Sequence, residues 1–213
     1  MNLALAAIGL AVGAGGVIAV SSRDLRAALN GLAIALVGST LVVDPLPSPA
    51  TLGVRIVGGL LVVAILRAQL PEVPSDVDPG SRFGWPAESL IACAAALGGI
   101  GIAMGLAATP AGGIGAAPVD AATVAAGILG TATAMALFAV GATPAALGRS
   151  GARRAIGLVI VVQAAILLRA GLAGPPGDFE QIAVVGLLLA AAVAGAALAR
   201  DGEPAAESID EAG

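Results

Sequence analysis

From Arg149 to Arg200 the chain reads RSGARRAIGLVIVVQAAILLRAGLAGPPGDFEQIAVVGLLLAAAVAGAALAR. This stretch holds two apolar runs, each about long enough to cross a bilayer, with arginines at both outer ends and a Gly-Pro-Pro-Gly turn between them. The same pattern recurs along the chain, where 58% of residues are hydrophobic and only 11% are charged. The expected fold class is therefore all-α: a polytopic membrane protein with about seven transmembrane helices. Ala, Gly, Val and Leu dominate these runs, and small side chains suit membrane helices whose backbones must approach closely.

Taken in order, the first apolar run spans residues 3–20 and is followed, not preceded, by Arg23 and Arg26. A secretory signal carries its positive charge first, so this run reads as a retained helix. The second run, 27–43, ends at Asp44-Pro45-Leu46-Pro47-Ser48-Pro49, where alternate prolines prevent the helix from continuing. The third, 50–66, returns to Arg67 and completes a three-helix module over 1–67. Residues 68–86 form a Pro-rich loop carrying Glu72, Asp76, Asp78 and Arg82, with Phe83 and Trp85 placed to anchor at the headgroup level. A linking helix over 87–108 leads to the uncharged loop TPAGGIGAAP. A second three-helix module occupies 119–200, with runs at 119–142, 155–172 and 179–199. Residues 201–213 are an acidic tail, expected to be disordered.

Short loops rich in arginine stay on the cytoplasmic side. Placing the arginine-bearing loops there gives one consistent topology in the cytoplasmic (inner) membrane, with the amino terminus outside and the carboxyl terminus in the cytoplasm. Arg55 and Arg169 depart from this pattern. Both lie near the outer ends of their helices, where they would snorkel to the headgroups or pair with Asp44, Asp178 or Glu180.

The two modules resemble each other. SRDLRAALNGLAIALVGSTLVV matches RSGARRAIGLVIVVQAAILL in its arginines, the following Ala, the Gly-Leu and the apolar run, and each next helix carries a Gly-Leu-Leu. The topology gives both modules the same orientation, so the duplication would be parallel. Asn30 and Gln163 then fall in related places near the cytoplasmic end, where an intramembrane amide either fixes helix register or holds water or a partner's charge. With Arg55 and Arg169 they are the candidate intramembrane polar contacts. The other polar residues inside the runs are Ser39, Thr40, Ser89, Thr131, Thr133 and Cys93, the last read as a small packing residue.

Several functional classes find no support. The chain has no histidine to activate a serine or cysteine, and Cys93 has no cationic neighbour in sequence. No residues are spaced as metal ligands, no cofactor is implied, and there is no basic face for nucleic acid. The glycines of TPAGGIGAAP are followed by no lysine, so a phosphate loop is not indicated. Whether the chain belongs to an enzyme is left open, and none of these features points to activity on its own.

One resemblance gives these features a setting. Arg153-Arg154-Ala155-Ile156-Gly157-Leu158, Gln163 five residues on, and the hairpin followed by Phe179-Glu180-Gln181 resemble the three-helix K (4L) subunit of NADH:quinone oxidoreductase. In length and in the position of that module, the whole chain resembles component E of the group 4 membrane-bound hydrogenases. The resemblance implies an accessory subunit of an oxidoreductase complex that translocates protons. Its implied partners are antiporter-like subunits and hydrogenase-like or quinone-reductase-like membrane subunits. The K-type pattern carries a membrane Glu after Ile-Gly-Leu and another acid in the last helix. Here Val159 follows Leu158, and residues 182–199 contain no acid. A proton relay needs groups that change charge, so the expectation is a non-catalytic scaffold between larger subunits. The alternative is a small stand-alone permease with a site between the two modules near Asn30 and Gln163.

Overall fold

The computed structural model describes residues 3–42, 48–70, 84–108, 121–148, 150–173 and 177–201. All secondary structure among them is α-helical: α1 (Leu3–Ser21), α2 (Leu25–Ser39), α3 (Pro49–Gln69), α4 (Gly84–Ala108), α5 (Ala121–Leu147), α6 (Gly151–Ala173) and α7 (Asp178–Asp201). Five segments are long and apolar enough to cross a membrane: Leu3–Ser21, Pro49–Gln69, Gly127–Ala146, Gly151–Leu172 and Phe179–Arg200. At 15 residues, α2 is about 22 Å long, short of the roughly 30 Å hydrocarbon thickness. It ends at Ser39, earlier than its apolar run suggests, with Thr40 to Val42 in a turn. The expectations for Asp44, the 71–83 loop, the Phe83 and Trp85 anchors, TPAGGIGAAP, the Gly-Pro-Pro-Gly turn and the acidic tail fall outside the described residues and side chains.

Local chemistry fixes the helix starts. Asp24 caps α2, its carboxylate accepting from the Arg26 amide at 3.0 Å. Ser48 caps α3 by accepting from the Thr51 amide at 3.3 Å, and Pro49 follows it in the first turn, where a missing N–H is harmless.

The helices form two layers. In one, α2 lies beside α1 and α3; in the other, α6 lies beside α5 and α7. The layers stack with α1 on α5, α2 on α6 and α3 on α7, while α4 packs against α5 and α1. Leu32, Leu66, Leu137, Val159, Ile160 and Leu167 fill the space between them. The outer surface is also apolar, with Leu10, Leu60, Leu97 and Leu187 exposed, as hydrocarbon solvent permits.

Glycine sets the closest contacts, and it does so in the same way twice. A β-carbon built on Gly31 would lie 2.6 Å from the Ala19 amide nitrogen and 2.7 Å from the Gly15 carbonyl oxygen. One built on Gly157 would lie 2.6 Å from the Ala145 amide nitrogen and 2.8 Å from the Gly141 carbonyl oxygen. The two glycines of each hairpin are the same number of residues apart, so α1–α2 and α5–α6 pack through matching backbone contacts. Both hairpins are antiparallel. Gly9 meets Leu129 and Thr133, and Gly16 meets Leu137, so α1 and α5 run parallel and the two hairpins share one orientation. Gly195 against Ala155, and Gly151 against Ala199, make α7 antiparallel to α6.

This register corrects one expectation. With Gly31 matched to Gly157, Asn30 corresponds to Ile156, and Gln163 lies roughly two turns further along its helix. The two amides are not equivalent: Asn30 is exposed on the outside of α2, and Gln163 is buried.

Candidate functional site

The interior holds few polar groups, and most are closed on their own helix. Ser21, Thr131 and Thr133 donate to carbonyls four residues back at 2.8–2.9 Å, and Thr40 donates to Val37 at 2.7 Å. Such bonds satisfy the hydroxyl without engaging a neighbouring helix.

Gln163 is different. It is 2% exposed at the middle of α6, and its Nε2 donates to Ser39 Oγ on α2 at 2.6 Å. Ser39, itself fully buried, passes its own proton to the Leu36 carbonyl at 2.7 Å. The relay runs amide to hydroxyl to carbonyl, each donor facing an acceptor. In an apolar interior a bond of this kind contributes about 0.6–2 kcal/mol and ties the two layers together at one height. One turn before Gln163 on α6, Val159 is fully buried, a branched apolar side chain.

Further buried polar residues lie on α3 and α7. Thr51 and Arg55 are four residues apart on one face of α3, at 8% and 4% exposure, and Gln181 on α7 is 1% exposed. The two helices meet where a β-carbon on Gly58 would lie 2.5 Å from Val185 Cγ1. Arg55 precedes this contact by one turn of α3, and Gln181 precedes it by one turn of α7. Arg55 Nη1 is buried with no hydrogen-bond partner among the described residues. Arg55 therefore does not snorkel outward, because its position on the buried face of α3 turns the side chain into the bundle.

Arg169, expected to behave like Arg55, stays at the rim. Its Nη2 lies 2.7 Å from Glu180 Oε1, with both side chains roughly half exposed. Glu180 is thus its partner, as one of the expected pairings has it. Cys93 is exposed on α4 and so does not serve as an interior packing residue. Its face of α4 points away from α5, which is approached through Gly99 against Met135.

Of the four candidate residues, then, Gln163 and Arg55 are interior, Arg169 lies at the rim and Asn30 points outward. The structure does not bring the two amides together. Sequence reasoning noticed Ser39 without its partner, and it missed the burial of Thr51 and Gln181. The available signal was helical spacing: Thr51, Arg55, Gly58, Val62 and Leu66 fall on one stripe, and Gln181 falls on that of Leu188, Ala192 and Ala196. Among the described residues, no three His, Cys, Asp or Glu side chains cluster to hold a metal. No protein-family model, no curated protein and no solved structure matches this chain.

Proposed function

We propose that this chain is a non-catalytic, multi-pass subunit of a larger membrane complex, holding neighbouring subunits in place and moving no proton through its own interior. In this reading the chain crosses the cytoplasmic membrane seven times as two parallel three-helix modules joined by α4. The ends bearing Arg23, Arg26, Arg67, Arg153, Arg154 and Arg200 face the cytoplasm. The complex is hydrogenase-like or NADH-dehydrogenase-like, as the Arg-Arg-Ala-Ile-Gly-Leu stretch and Gln163 suggest, and its antiporter-like and iron–sulfur partners carry the redox and proton chemistry.

The observation that carries the proposal is the Gln163–Ser39 bond with Val159 packed one turn away. The one amide at the middle of α6 donates to Ser39 and so joins α2 to α6, and Val159 beside it is apolar. This interior is built for packing. The permease alternative is the weaker reading, because it needs Asn30 and Gln163 to line one site and they face in different directions.

Affinity purification of the full chain from its native membranes in mild detergent tests the proposal. Antiporter-like and iron–sulfur subunits are expected to copurify in fixed proportion. A chain that purifies alone, and that transports a solute in liposomes until Asn30 and Gln163 are both replaced, would instead establish the permease.

A further inference from the structure

α3 and α7 begin at the same end of the bundle. A β-carbon built on Gly59 of α3 would lie 3.3 Å from Leu36 Cβ of α2, which fixes where these two helices meet. If α3 ran parallel to α2, the chain from Val42 to Ser48 would have to cover about 21 Å along the axes and a further 8–10 Å across them. Fully extended, that length of chain reaches at most about 21 Å. α3 is therefore antiparallel to α2. α7 is antiparallel to α6, and α2 and α6 run the same way, so α3 and α7 are parallel neighbours. Each helix start carries about half a positive charge, and here two lie side by side. Two helix starts assign nothing alone. What distinguishes this end is a full charge buried beside them.

That charge is Arg55, at 4% exposure. Gly58 meets α7 through Val185 and Gly59 meets α2 through Leu36, so Arg55, one turn before both, lies on the face of α3 between its two neighbours. Gln181 on α7, 1% exposed, is one turn before the same Gly58–Val185 contact and so stands at the level of Arg55. Helical side chains lean toward the N-terminus, which carries the guanidinium back toward the two helix starts and toward Thr51. Arg55 Nη1 is buried with no hydrogen-bond partner among the described residues.

A guanidinium does not lose its proton in a protein, and a buried charge without a partner is costly. Among the described side chains the carboxylates are Asp24 and Glu180. Asp24 caps α2 at the other end of the bundle, and Glu180 is bound to Arg169 at the rim. Where α2 ends opposite Arg55, the carbonyls of Leu36, Val37 and Gly38 already accept from Ser39, Thr40 and Leu41.

We propose that a small inorganic anion of chloride size binds beside Arg55, inside the first turns of α3 and α7, with Thr51 and Gln181 flanking it. The anion answers one full positive charge and two helix starts together. Its size follows from the burial: almost none of Arg55 reaches the surface, and the Gly58–Val185 contact closes the helix pair one turn deeper, which leaves no room for a phospholipid headgroup. This site belongs to the chain itself and does not depend on what the chain assembles with.

The test uses the tagged full chain, solubilised from its membranes in gluconate and titrated with chloride or bromide at constant ionic strength. The fraction of tagged chain left soluble after heating is followed, which reads this chain whether or not other subunits accompany it. A saturable rise in the midpoint of about 5 °C or more is expected with either halide. Arg55→Gln is expected to lose the rise, and Arg55→Lys to keep most of it. Anomalous scattering from bromide is expected to show one peak in contact with the Arg55 guanidinium of the unsubstituted protein, an arm that needs no variant to fold. Equal midpoints in halide and gluconate overturn the proposal, as does a rise that Arg55→Gln leaves intact. A carboxylate of Asp44 or Asp178, or a lipid phosphate, found against Arg55 in place of bromide also overturns it.

Discussion

The Gln163 amide on α6 and the Ser39 hydroxyl on α2 are hydrogen-bonded at 2.6 Å across 124 positions of sequence, joining the end of α2 to the middle of α6. The bond is sealed from solvent on both sides, and Ser39 has its own acceptor in Leu36. Replacing either partner strands the other in an apolar setting. Gln163→Leu and Ser39→Ala are each expected to destabilise the folded chain by about 0.6–2 kcal/mol. The double substitution is expected to lose less than the sum, because both groups leave together. Thermal unfolding of the four forms in one detergent checks this. Additive losses would mean that the two residues act independently.

The paired glycines give a second expectation. A β-carbon on Gly31 or Gly157 would press on backbone atoms, which cannot swing aside as a side-chain end does. Gly31→Ala and Gly157→Ala are each expected to destabilise by about 1–3 kcal/mol, as for overpacking generally. Gly98→Ala and Gly186→Ala have nothing within 4 Å and are expected to stay within about 0.5 kcal/mol. Unequal losses at Gly31 and Gly157 would break the correspondence between the two hairpins.

At the rim, the Arg169–Glu180 pair is close but open to its surroundings. Half-exposed pairs of this kind contribute about 0–1 kcal/mol and weaken with salt. Glu180→Gln is therefore expected to shift the midpoint slightly at low ionic strength and hardly at all in molar salt. A large, salt-independent loss would show that Glu180 also serves a buried group.

Cys93 reports on α4. It is exposed on the protein surface and lies along an apolar helix, where surrounding hydrocarbon would keep a charged reagent away. In intact vesicles a charged maleimide is expected to leave it unmodified from either side, and in SDS to modify it fully. Rapid labelling in vesicles would take α4 out of the membrane.

The helical class and the helix positions were legible because apolar runs of this length, bounded by arginine and proline, have few alternatives. The Gly-Leu matches at Gly31 and Gly157 also pointed to real packing contacts. Facing was much harder to read. Position along a run gives depth, so Arg55 and Arg169 looked alike, and only the stripe through Thr51, Gly58 and Val62 separates the buried arginine from the exposed one. In helices made of Ala, Gly and Leu both faces are apolar, and the usual contrast between inside and outside is missing. Asn30 and Gln163 were mispaired because both are single amides in related helices, although the Gly-Leu match itself sets Asn30 against Ile156, two turns before Gln163. The partner of Ser39 lies in the other module, and a distance of that kind leaves no local trace.

The central claim is that this chain works as part of a larger membrane assembly, and its native size in gently solubilised membranes tests it most directly. A subunit of 20.2 kDa held among antiporter-like and iron–sulfur partners is expected to migrate on a native gel in a particle many times its own mass, with those subunits in the same band. Migration as a single chain, or as a complex of copies of itself only, in the membranes where its partners are made would contradict the account.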